Sequence, residues 1–391
     1  MKAQHFLATA VALFLGTDSA LADFSSCLSG LRNAAAAGGV SAQTIASATN
    51  GLEPNDAVSF MGKQPEFTTP VWDYMAALVD EERVEQGRAM LQKYAGPLQS
   101  AQSRYGVDPA TVVAVWGVES DFGKNFGKRP VVQSLATLAC EAPRRNDYWR
   151  REFVSALKIL DGGDIVAEEF MGSWAGAFGH TQFMPSTFMT TAVDLDGDGR
   201  RNIASSAADS LGSTANFLRK GGWRPGMPWG FEVRLPSGYS GPSGRGKRLP
   251  LSHWAAHGLT RIDGGDLGEG SAALLLPAGR EGPAFLVTRN FDAVYGYNAA
   301  ESYALAICVL SDRLRGKAGI QTSWPTDDPG LSREERRELQ ALLARNGYDI
   351  GDSDGVIGTK TKEAIADFQT RVGLPRNGRA SLKVLNALKG R

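Results

Sequence analysis

Periodic apolar positions predict that most of the chain between residues 24 and 222 is helical. Apolar residues recur at helical spacing there, with Gly and Pro as punctuation. After Trp223 the pattern changes to short alternating or apolar runs, which predict a small β-lobe over about 223–290. The clearest predicted helices cover 74–84, 87–105, 110–119, 131–139, 148–160, 207–220 and 300–314, and the predicted strands cover 231–235, 273–276 and 284–287.

One predicted helix is apolar on every side. Asp108 and Pro109 have the residue types of an N-cap and a first helical position. Residues 110–118 carry no charge, a pattern typical of a helix inside a core. Glu119 is the first ionisable group to follow, at the end where the helix dipole and apolar neighbours both raise the pKa of a carboxyl.

A carboxyl kept protonated near neutral pH is suited to act as a general acid, for example in breaking a glycosidic bond. The alternative is that Glu119 forms an ion pair with Lys124 or Lys128. Asp121 is two positions away, on the other side of the helix, and so does not supply a second catalytic carboxylate. A second role in catalysis would have to come from elsewhere in the chain or from the substrate.

The C-terminal part of the chain forms a separate predicted unit. Segment 316–330 is polar and contains two prolines, which predicts a linker. Residues 331–391 follow, with predicted helices at 333–346 and 361–372. The modest core of such a unit favours a binding module over a second enzyme.

The N-terminal residues 1–22 have the pattern of a secretory signal peptide. Lys2 precedes an apolar run over 6–15, and Ala20-Leu21-Ala22 is a small-x-small cleavage site. The run is about half the roughly 20 residues that span a bilayer, so a membrane anchor is the weaker interpretation. No later stretch is long enough to cross a membrane, and we expect a soluble, exported, periplasmic protein.

Composition narrows the choice of partners. The 391 residues carry a formal net charge of zero, which argues against a nucleic-acid partner.

The cysteines are Cys27, Cys140 and Cys308, and their spacing excludes a zinc motif. An export compartment allows a disulfide, for which Cys27 and Cys140 are the pair to test, whereas Cys308 lies in an apolar run typical of a buried thiol.

Residues 172–188 combine glycines with aromatic and amide side chains. Glycine allows backbone to approach a ligand closely, and aromatic faces with amides suit amino sugars and their N-acetyl groups. A tightly packed turn is the alternative explanation of the same stretch.

Together with Glu119, this stretch resembles the lytic murein transglycosylases of the membrane-bound lytic transglycosylase B type. The matching blocks are 117–123, 135–138, 143–145, 172–188, Asn290-Phe291, Tyr297-Asn298 and Tyr303-Ala304. The resemblance implies a mainly α (α+β) fold, with a lysozyme-like helical catalytic core over 23–315 and an inserted β-lobe.

The resemblance also implies one catalytic glutamate, Glu119, and no protein nucleophile. Glu119 would protonate the glycosidic oxygen after N-acetylmuramic acid, and that sugar's own hydroxyl would attack to give an anhydro-muramic end. Arg144 and Arg145 match the pair that meets the carboxylates of the peptide stem, for which guanidinium is well suited. The remaining implied substrate contacts are Ser173, Gln182, Phe183, Met184, Tyr297, Asn298 and Tyr303. His180 and Thr181 depart from the Tyr-Gly of a close relative, and we interpret His180 as a lining or structural residue.

Residues 194–202 carry the first half of a calcium loop, with oxygen donors at alternate positions and Gly at the turn. The twelfth position is Ser205 in place of Glu, so a more distant acid would have to close the site, as in some relatives. A structural calcium and an Asx-rich turn both explain the pattern, and no other cofactor is expected. The candidate ligands are Asp194, Asp196, Asp198 and Asp209.

The C-terminal unit resembles the small peptidoglycan-binding domain, with a dimerisation module as the alternative. Its matching residues include Leu339, Leu342, Leu343, Gly347-Tyr348, Asp354-Gly355, Gly358, Thr361 and Phe368-Gln369. The sequence therefore predicts an exported lytic transglycosylase that acts on peptidoglycan, with cell-wall machinery proteins as further candidate partners. A muramidase that hydrolyses the same bond and a non-catalytic wall-binding scaffold are the alternatives.

Overall fold

The computed structural model describes residues 17–390, with side chains described from Asp23 onward, and these form two compact units. Unit 1 comprises the described residues up to 61 together with 127–178 and 183–190; unit 2 comprises 62–126, 179–182 and the residues from 191 onward. The predicted signal peptide lies mostly outside the described residues and stays a prediction. Among residues 17–390, no helix has both the length and the apolar character of a membrane span.

Helices dominate the described residues, which confirms the predicted fold class. They are α1 (Thr17–Ala37), α2 (Ala42–Thr49), α3 (Pro65–Thr68), α4 (Val71–Leu78), α5 (Glu81–Lys93), α6 (Ala95–Tyr105), α7 (Pro109–Ser120), α8 (Val131–Glu141), α9 (Asn146–Asp161), α10 (Pro185–Thr191), α11 (Ala207–Lys220), α12 (Leu251–Ala256), α13 (Arg289–Tyr295), α14 (Glu301–Leu314), α15 (Arg333–Arg345), α16 (Thr359–Arg371) and α17 (Leu382–Leu388). The strands are β1 (Arg129–Pro130), β2 (Met171–Gly172), β3 (Gly230–Arg234), β4 (Arg248–Pro250), β5 (Thr260–Arg261), β6 (Ser271–Leu275) and β7 (Ala284–Val287).

Unit 1 is built on α1, α8 and α9, which pack against one another. A disulfide between Cys27 and Cys140 joins α1 to α8, with the two Cα atoms 5.8 Å apart. Glu152 on α9 is buried, and its carboxylate accepts hydrogen bonds from Ser186, at 2.9 Å from the backbone N and 2.6 Å from Oγ. Since a buried carboxylate is costly without donors, this contact fixes the start of α10 against α9.

The core of unit 2 is organised around α7, as its apolar pattern predicts. The helix begins as expected: the Asp108 carboxylate accepts from the backbone N of Thr111 at 3.0 Å, and Pro109 is the first helical residue. Residues 110–117 are all buried, against α5, α6, α11 and α14. Each buried Val contributes about 1.5–3 kcal/mol of transfer free energy, so α7 is held rigidly up to its last turn.

The structure divides two of the predicted helices. The predicted helix over 74–84 is interrupted at Val79, because Asp80 caps α5 by accepting from the backbone N of Arg83 at 2.8 Å. The predicted helix over 87–105 is likewise interrupted at Tyr94, which separates α5 from α6. In both places the apolar spacing continues across the break, so periodicity alone does not reveal it.

The predicted β-lobe is a five-stranded sheet in the order β4-β6-β7-β3-β5, with all paired strands antiparallel. Phe231 of β3 pairs with Leu286 of β7, and Leu274 of β6 pairs with the same Leu286. One face packs on α12 through the buried Trp254, whose Nε1 donates to the Ala272 carbonyl at 2.9 Å.

The predicted linker is fixed to the rest of unit 2. The backbone N–H groups of Gln321 and Thr322 both donate to the carboxylate of Glu232, each at 2.8 Å. Ile320 and Trp324 pack against the main core. Part of the segment thus has both polar and apolar contacts, and its role as a linker between two domains stays a prediction.

The C-terminal residues 331–388 have a core of their own and also contact α4, α5 and the end of α7. Arg379 forms two hydrogen bonds to the carboxylate of Asp73 on α4, at 2.6 and 2.7 Å. Arg333, the first residue of α15, binds both oxygens of Asp121 at 3.0 and 2.9 Å. Forked guanidinium–carboxylate pairs of this kind fix orientation as well as distance.

Candidate active site

Glu119 lies in the last turn of α7, half-buried, with its Oε1 hydrogen-bonded by the hydroxyl of Tyr303. Burial raises the pKa of Glu119 to about 8; the hydrogen bond from Tyr303 acts in the opposite direction, and the charge of Glu66 adds to the rise. The side chain is therefore a neutral carboxylic acid near pH 7, as the sequence predicts.

The ion-pair interpretation of Glu119 is not supported by the structure. Lys124 instead donates to the Gln86 side chain at 2.9 Å. Asp121, the left-handed C-cap of α7 with φ of 51°, is bound by Arg333. Burial acts to raise the pKa of Asp121, but the hydrogen bonds and charge of Arg333 and the charge of Arg83 outweigh it, so that this pKa lies below its usual value. The two carboxyl groups thus have opposite protonation states.

Two tyrosines form one wall beside Glu119. The rings of Tyr297 and Tyr303 stack with centroids 6.3 Å apart, and the hydroxyl of Tyr297 donates to the Thr181 carbonyl at 2.8 Å. Burial, with the nearby charge of Glu119, raises the pKa of both phenols well above its usual value. Both are neutral hydrogen-bonding groups, and Tyr303 is the one that touches the carboxyl.

His180 supports the end of α7. Trp116 donates from Nε1 to His180 Nδ1 at 3.0 Å, and Ser120 donates from Oγ to the His180 carbonyl at 2.7 Å. Burial lowers the pKa of His180 to about 4, so the ring is neutral at pH 7. Gly123 has φ of +85°, and a Cβ there would lie 2.5 Å from the His180 ring, so this approach needs glycine. The structure thus gives His180 a structural contact, in line with the prediction.

Gln182 and Asn298, the two predicted amide contacts, belong to unit 2 like Glu119. Gln182 Nε2 donates to the carbonyls of Phe126 and Gly179, at 3.2 and 2.9 Å. Asn298 is exposed, and its Nδ2 donates to Glu66 Oε1 at 3.0 Å. The side-chain nitrogen of Gln182 thus donates to backbone carbonyls, whereas that of Asn298 donates to the side chain of Glu66.

Two groups close to this site were missed by sequence reasoning, namely Glu66 and Tyr74. Glu66 reaches Asn298 from the short helix α3, and Tyr74 on α4 is buried close enough for the charges of Glu66 and Glu119 to raise its pKa further. They lie 53 and 45 positions before Glu119, and only tertiary packing of α4 on α14 brings them close. No local motif signals either residue.

The other predicted substrate contacts belong to unit 1. Ser173 and Met184 are half-buried, and Ser173 Oγ accepts from the backbone N of Ala177 at 3.2 Å. Arg144 and Arg145 are exposed. The ring of Phe183 is buried with 1% exposed, which argues against its predicted contact with a ligand and gives it a packing role.

The predicted calcium ligands converge in unit 2. Single carboxylate oxygens of Asp194, Asp196, Asp198 and Asp209 all lie within 4.8 Å of one another. Burial, assisted by the charge of Asp196 and opposed by backbone N–H groups, raises the pKa of Asp209 to about 6. Four acidic groups this close repel one another unless a cation or protons neutralise them. Hard oxygen donors of this kind fit Ca²⁺, so the residues present match the group predicted.

A protonated carboxyl with tyrosine partners, held at the end of a buried helix, is the arrangement of an enzyme site suited to general acid catalysis. Comparison with known families agrees: the transglycosylase SLT domain model matches residues 23–312, and the putative peptidoglycan-binding domain model matches residues 332–388. The chain belongs to the SLT family and is a lytic transglycosylase of the membrane-bound lytic transglycosylase B type, which confirms the resemblance seen in the sequence.

Similar proteins show the same relationship. Membrane-bound lytic murein transglycosylase B of Escherichia coli (strain K12) is 31% identical over 265 residues, which cover 66% of this chain and 72% of that protein. SltB3 from Pseudomonas aeruginosa, crystallised with NAG-anhNAM-pentapeptide, is 45% identical over 94% of this chain and 99% of that chain, with a TM-score of 0.75. Escherichia coli Slt35, crystallised with calcium, is 28% identical over 77% of this chain and 95% of that chain, with a TM-score of 0.66.

Proposed function

We propose that the protein cleaves the bond between N-acetylmuramic acid and N-acetylglucosamine in peptidoglycan without water, leaving an anhydro-muramic end. The observation that carries this proposal is the position of Glu119 in the last turn of the buried helix α7, with its carboxyl hydrogen-bonded by Tyr303, where burial raises the pKa of Glu119 to about 8. A general acid whose pKa is close to the working pH holds its proton until the leaving oxygen needs it.

The proposed reaction uses Glu119 twice. The protonated carboxyl gives its proton to the glycosidic oxygen as the bond from that oxygen to the anomeric carbon breaks. The resulting carboxylate then takes the proton from the primary hydroxyl of the N-acetylmuramic acid, whose oxygen bonds to the same anomeric carbon. No water enters, and Glu119 ends the cycle protonated. The raised pKa assists the second step, since a carboxylate in such a site is a strong base.

The neighbouring groups fit this scheme in defined roles. Tyr303 bonds Glu119 directly and fixes the direction of its carboxyl. Asn298 is exposed beside Tyr297 and can hydrogen-bond the N-acetyl group of the sugar at the cleavage point. Gln182 lies in the same unit as a further sugar contact. We keep Ser173, Met184, Arg144 and Arg145 as proposed contacts for the glycan and its peptide stem.

The C-terminal domain and the predicted signal peptide bear on where the reaction takes place. We propose that residues 332–388 bind the wall polymer, since the family model that matches them is that of a peptidoglycan-binding domain. An exported, periplasmic location is supported by the signal pattern over 1–22 and by the Cys27–Cys140 disulfide, which needs an oxidising compartment.

Digestion of purified sacculi tests the proposed reaction. We expect every new muramic end released by the protein to be lighter by one water than a reducing end, because the sugar's own hydroxyl replaces water as the attacking group. Mass spectrometry of the separated fragments measures this, with a hydrolytic muramidase digest as the control. Fragments carrying hydrated reducing ends would instead assign the muramidase reaction to the protein.

We also propose a structural calcium at Asp194, Asp196, Asp198 and Asp209. The support is the convergence of four carboxylates on one point, together with the calcium complex of the similar Slt35. Ser205 holds the position where Glu usually closes such a loop, and Asp209, at the start of α11, supplies the closing carboxylate. The ion would have no part in the chemistry at Glu119.

Calorimetric titration with calcium tests this site. We expect heat of binding and a rise in melting temperature, since a ligand that binds only the folded chain stabilises it by about 2.7 kcal/mol at one hundred times its Kd. Asp194→Asn should remove both effects, whereas Asp349→Asn in the C-terminal domain should leave them. Titration without heat and without a thermal shift would contradict the proposal.

A further inference from the structure

Glu66 is joined to the active site by two hydrogen bonds. The carboxylate Oε1 accepts from Nδ2 of Asn298 at 3.0 Å, and the backbone carbonyl accepts from Oγ of Ser302 at 3.0 Å. Both donors belong to the segment that leads into α14 and ends at Tyr303. Glu66 therefore holds the stretch of chain from which the amide and the phenol beside Glu119 project.

The charge of Glu66 has no cationic partner among the side chains that the structure describes. Among the described side chains, no Lys, Arg or His nitrogen lies within 4.0 Å of its carboxylate. The charge acts on two neighbours, Glu119 and Tyr74, and disfavours loss of a proton from both.

The other charged and titratable groups around the end of α7 are engaged differently. Of the cations there, Arg83 and Arg333 are turned to Asp121, at 3.7 and 2.9 Å, and Lys124 donates to the Gln86 side chain at 2.9 Å. His180 is neutral at pH 7. The tyrosines that face Glu119 or its immediate neighbours are Tyr74 on α4, Tyr297 before α14 and Tyr303 on α14, all neutral. Glu66 is therefore the anionic group that acts on Glu119.

We propose that Glu66 is a positioning residue for the transglycosylase reaction: it fixes the amide of Asn298 and supplies a fixed negative charge beside Glu119. The inference rests on the proposed function of Glu119 and Asn298. With its nitrogen held by Glu66, the Asn298 amide directs its carbonyl oxygen away from Glu66, as an acceptor for the N–H of an N-acetyl group.

The fixed charge has two effects on the reaction. It opposes ionisation of Glu119, so the carboxyl keeps its proton to a higher pH. It also favours the positive charge that develops at the anomeric carbon as the leaving oxygen departs. Glu66 touches neither the leaving oxygen nor Glu119. It acts through the orientation of the Asn298 amide and through the electric field of its charge.

Three substitutions separate the two roles. Glu66→Gln keeps an oxygen that can accept from Asn298 but removes the charge. Glu66→Asp keeps the charge on a shorter arm that no longer reaches Asn298. Glu66→Ala removes both. Glu85→Gln is the matched control, because Glu85 is an exposed glutamate on α5 of the same unit.

The readout is the pH dependence of kcat and KM on soluble, un-cross-linked glycan strands. For Glu66→Gln we expect the alkaline limb of kcat/KM to move down by about half to one pH unit, since removal of a nearby like charge lowers the pKa of a carboxyl. For Glu66→Asp we expect the limb to stay and KM to rise about three- to tenfold from loss of one amide hydrogen bond. Glu66→Ala should show both changes, and Glu85→Gln neither.

An unchanged limb in Glu66→Gln together with an unchanged KM in Glu66→Asp would overturn this proposal. A loss of activity without any shift of the limb in Glu66→Gln would also overturn it, since a merely structural role moves no titration. Failure of the proposed function would look different, because the wild-type protein itself would then yield hydrated ends or no cleavage.

Discussion

Glu119→Gln is expected to lower the rate of glycan cleavage by about a thousandfold, within the 10²- to 10⁴-fold range of a positioned general acid. The amide has the shape of the carboxylic acid but gives no proton to the leaving oxygen and takes none from the attacking hydroxyl. Release of soluble fragments from sacculi measures the loss. A variant that keeps more than about a tenth of the wild-type rate would exclude Glu119 as the proton donor.

The same substitution is expected to raise stability while it lowers activity, and the size of the gain in stability depends on pH. Below pH 4.5 the carboxyl is protonated in both the folded and the unfolded chain, so the substitution changes little. Between pH 4.5 and about 8 the unfolded chain ionises first, and the stability of the wild type falls as the pH rises. We therefore expect Glu119→Gln to melt above the wild type at pH 8 and close to it at pH 4. Glu85→Gln serves as the control and should show no such pH-dependent difference from the wild type.

Replacement of both Cys27 and Cys140 by Ser lowers the free energy of unfolding of unit 1 by about 3–4 kcal/mol. The disulfide joins residues 113 positions apart, so its loss releases a long loop in the unfolded chain, for which 2–4 kcal/mol is typical. Hydrogen exchange of the amides of α1 and α8 measures the change, because these are the helices that the disulfide joins.

Reducing agent provides the control for the disulfide prediction. It should bring the exchange rates of the wild type to those of the double variant and leave the double variant unchanged. The remaining thiol, Cys308, is buried on α14 in unit 2 and is expected to contribute nothing to this difference. Equal exchange in the oxidised wild type and the double variant would contradict the prediction.

Local signals explain what the sequence predicts well. The start of α7 depends on Asp108 and Pro109, and its burial on an uninterrupted apolar surface, both visible over a dozen residues. The raised pKa of Glu119 is predicted from the same short stretch, because its apolar neighbours indicate burial, and burial is the largest cause of the rise. The strands β3, β6 and β7 are also local apolar runs, whereas the short β4 and β5 carry too few residues to show a pattern.

Several features that depend on contacts between distant residues cannot be predicted from the sequence. Glu66 and Tyr74 reach the site only because α4 packs against α14, and no spacing in the sequence encodes that meeting. The pairing of Arg333 with Asp121 joins residues 212 positions apart. Phe183 is buried although the resemblance implies a substrate contact, because a motif identifies residues near a site without stating which of them face inward.

The ion pairs of Arg333 and Arg379 have a consequence for how the wall polymer meets the catalytic helix. A binding domain on a flexible linker samples a volume around the enzyme, and its effect is to raise the local concentration of the substrate. Here one guanidinium binds the cap of α7 and another binds α4, so the C-terminal domain is held against the catalytic helices. A glycan strand bound by that domain, as we propose, is therefore held at a fixed distance and direction from the catalytic helices. The C-terminal domain would then align the strand with the active site, rather than only keep it nearby.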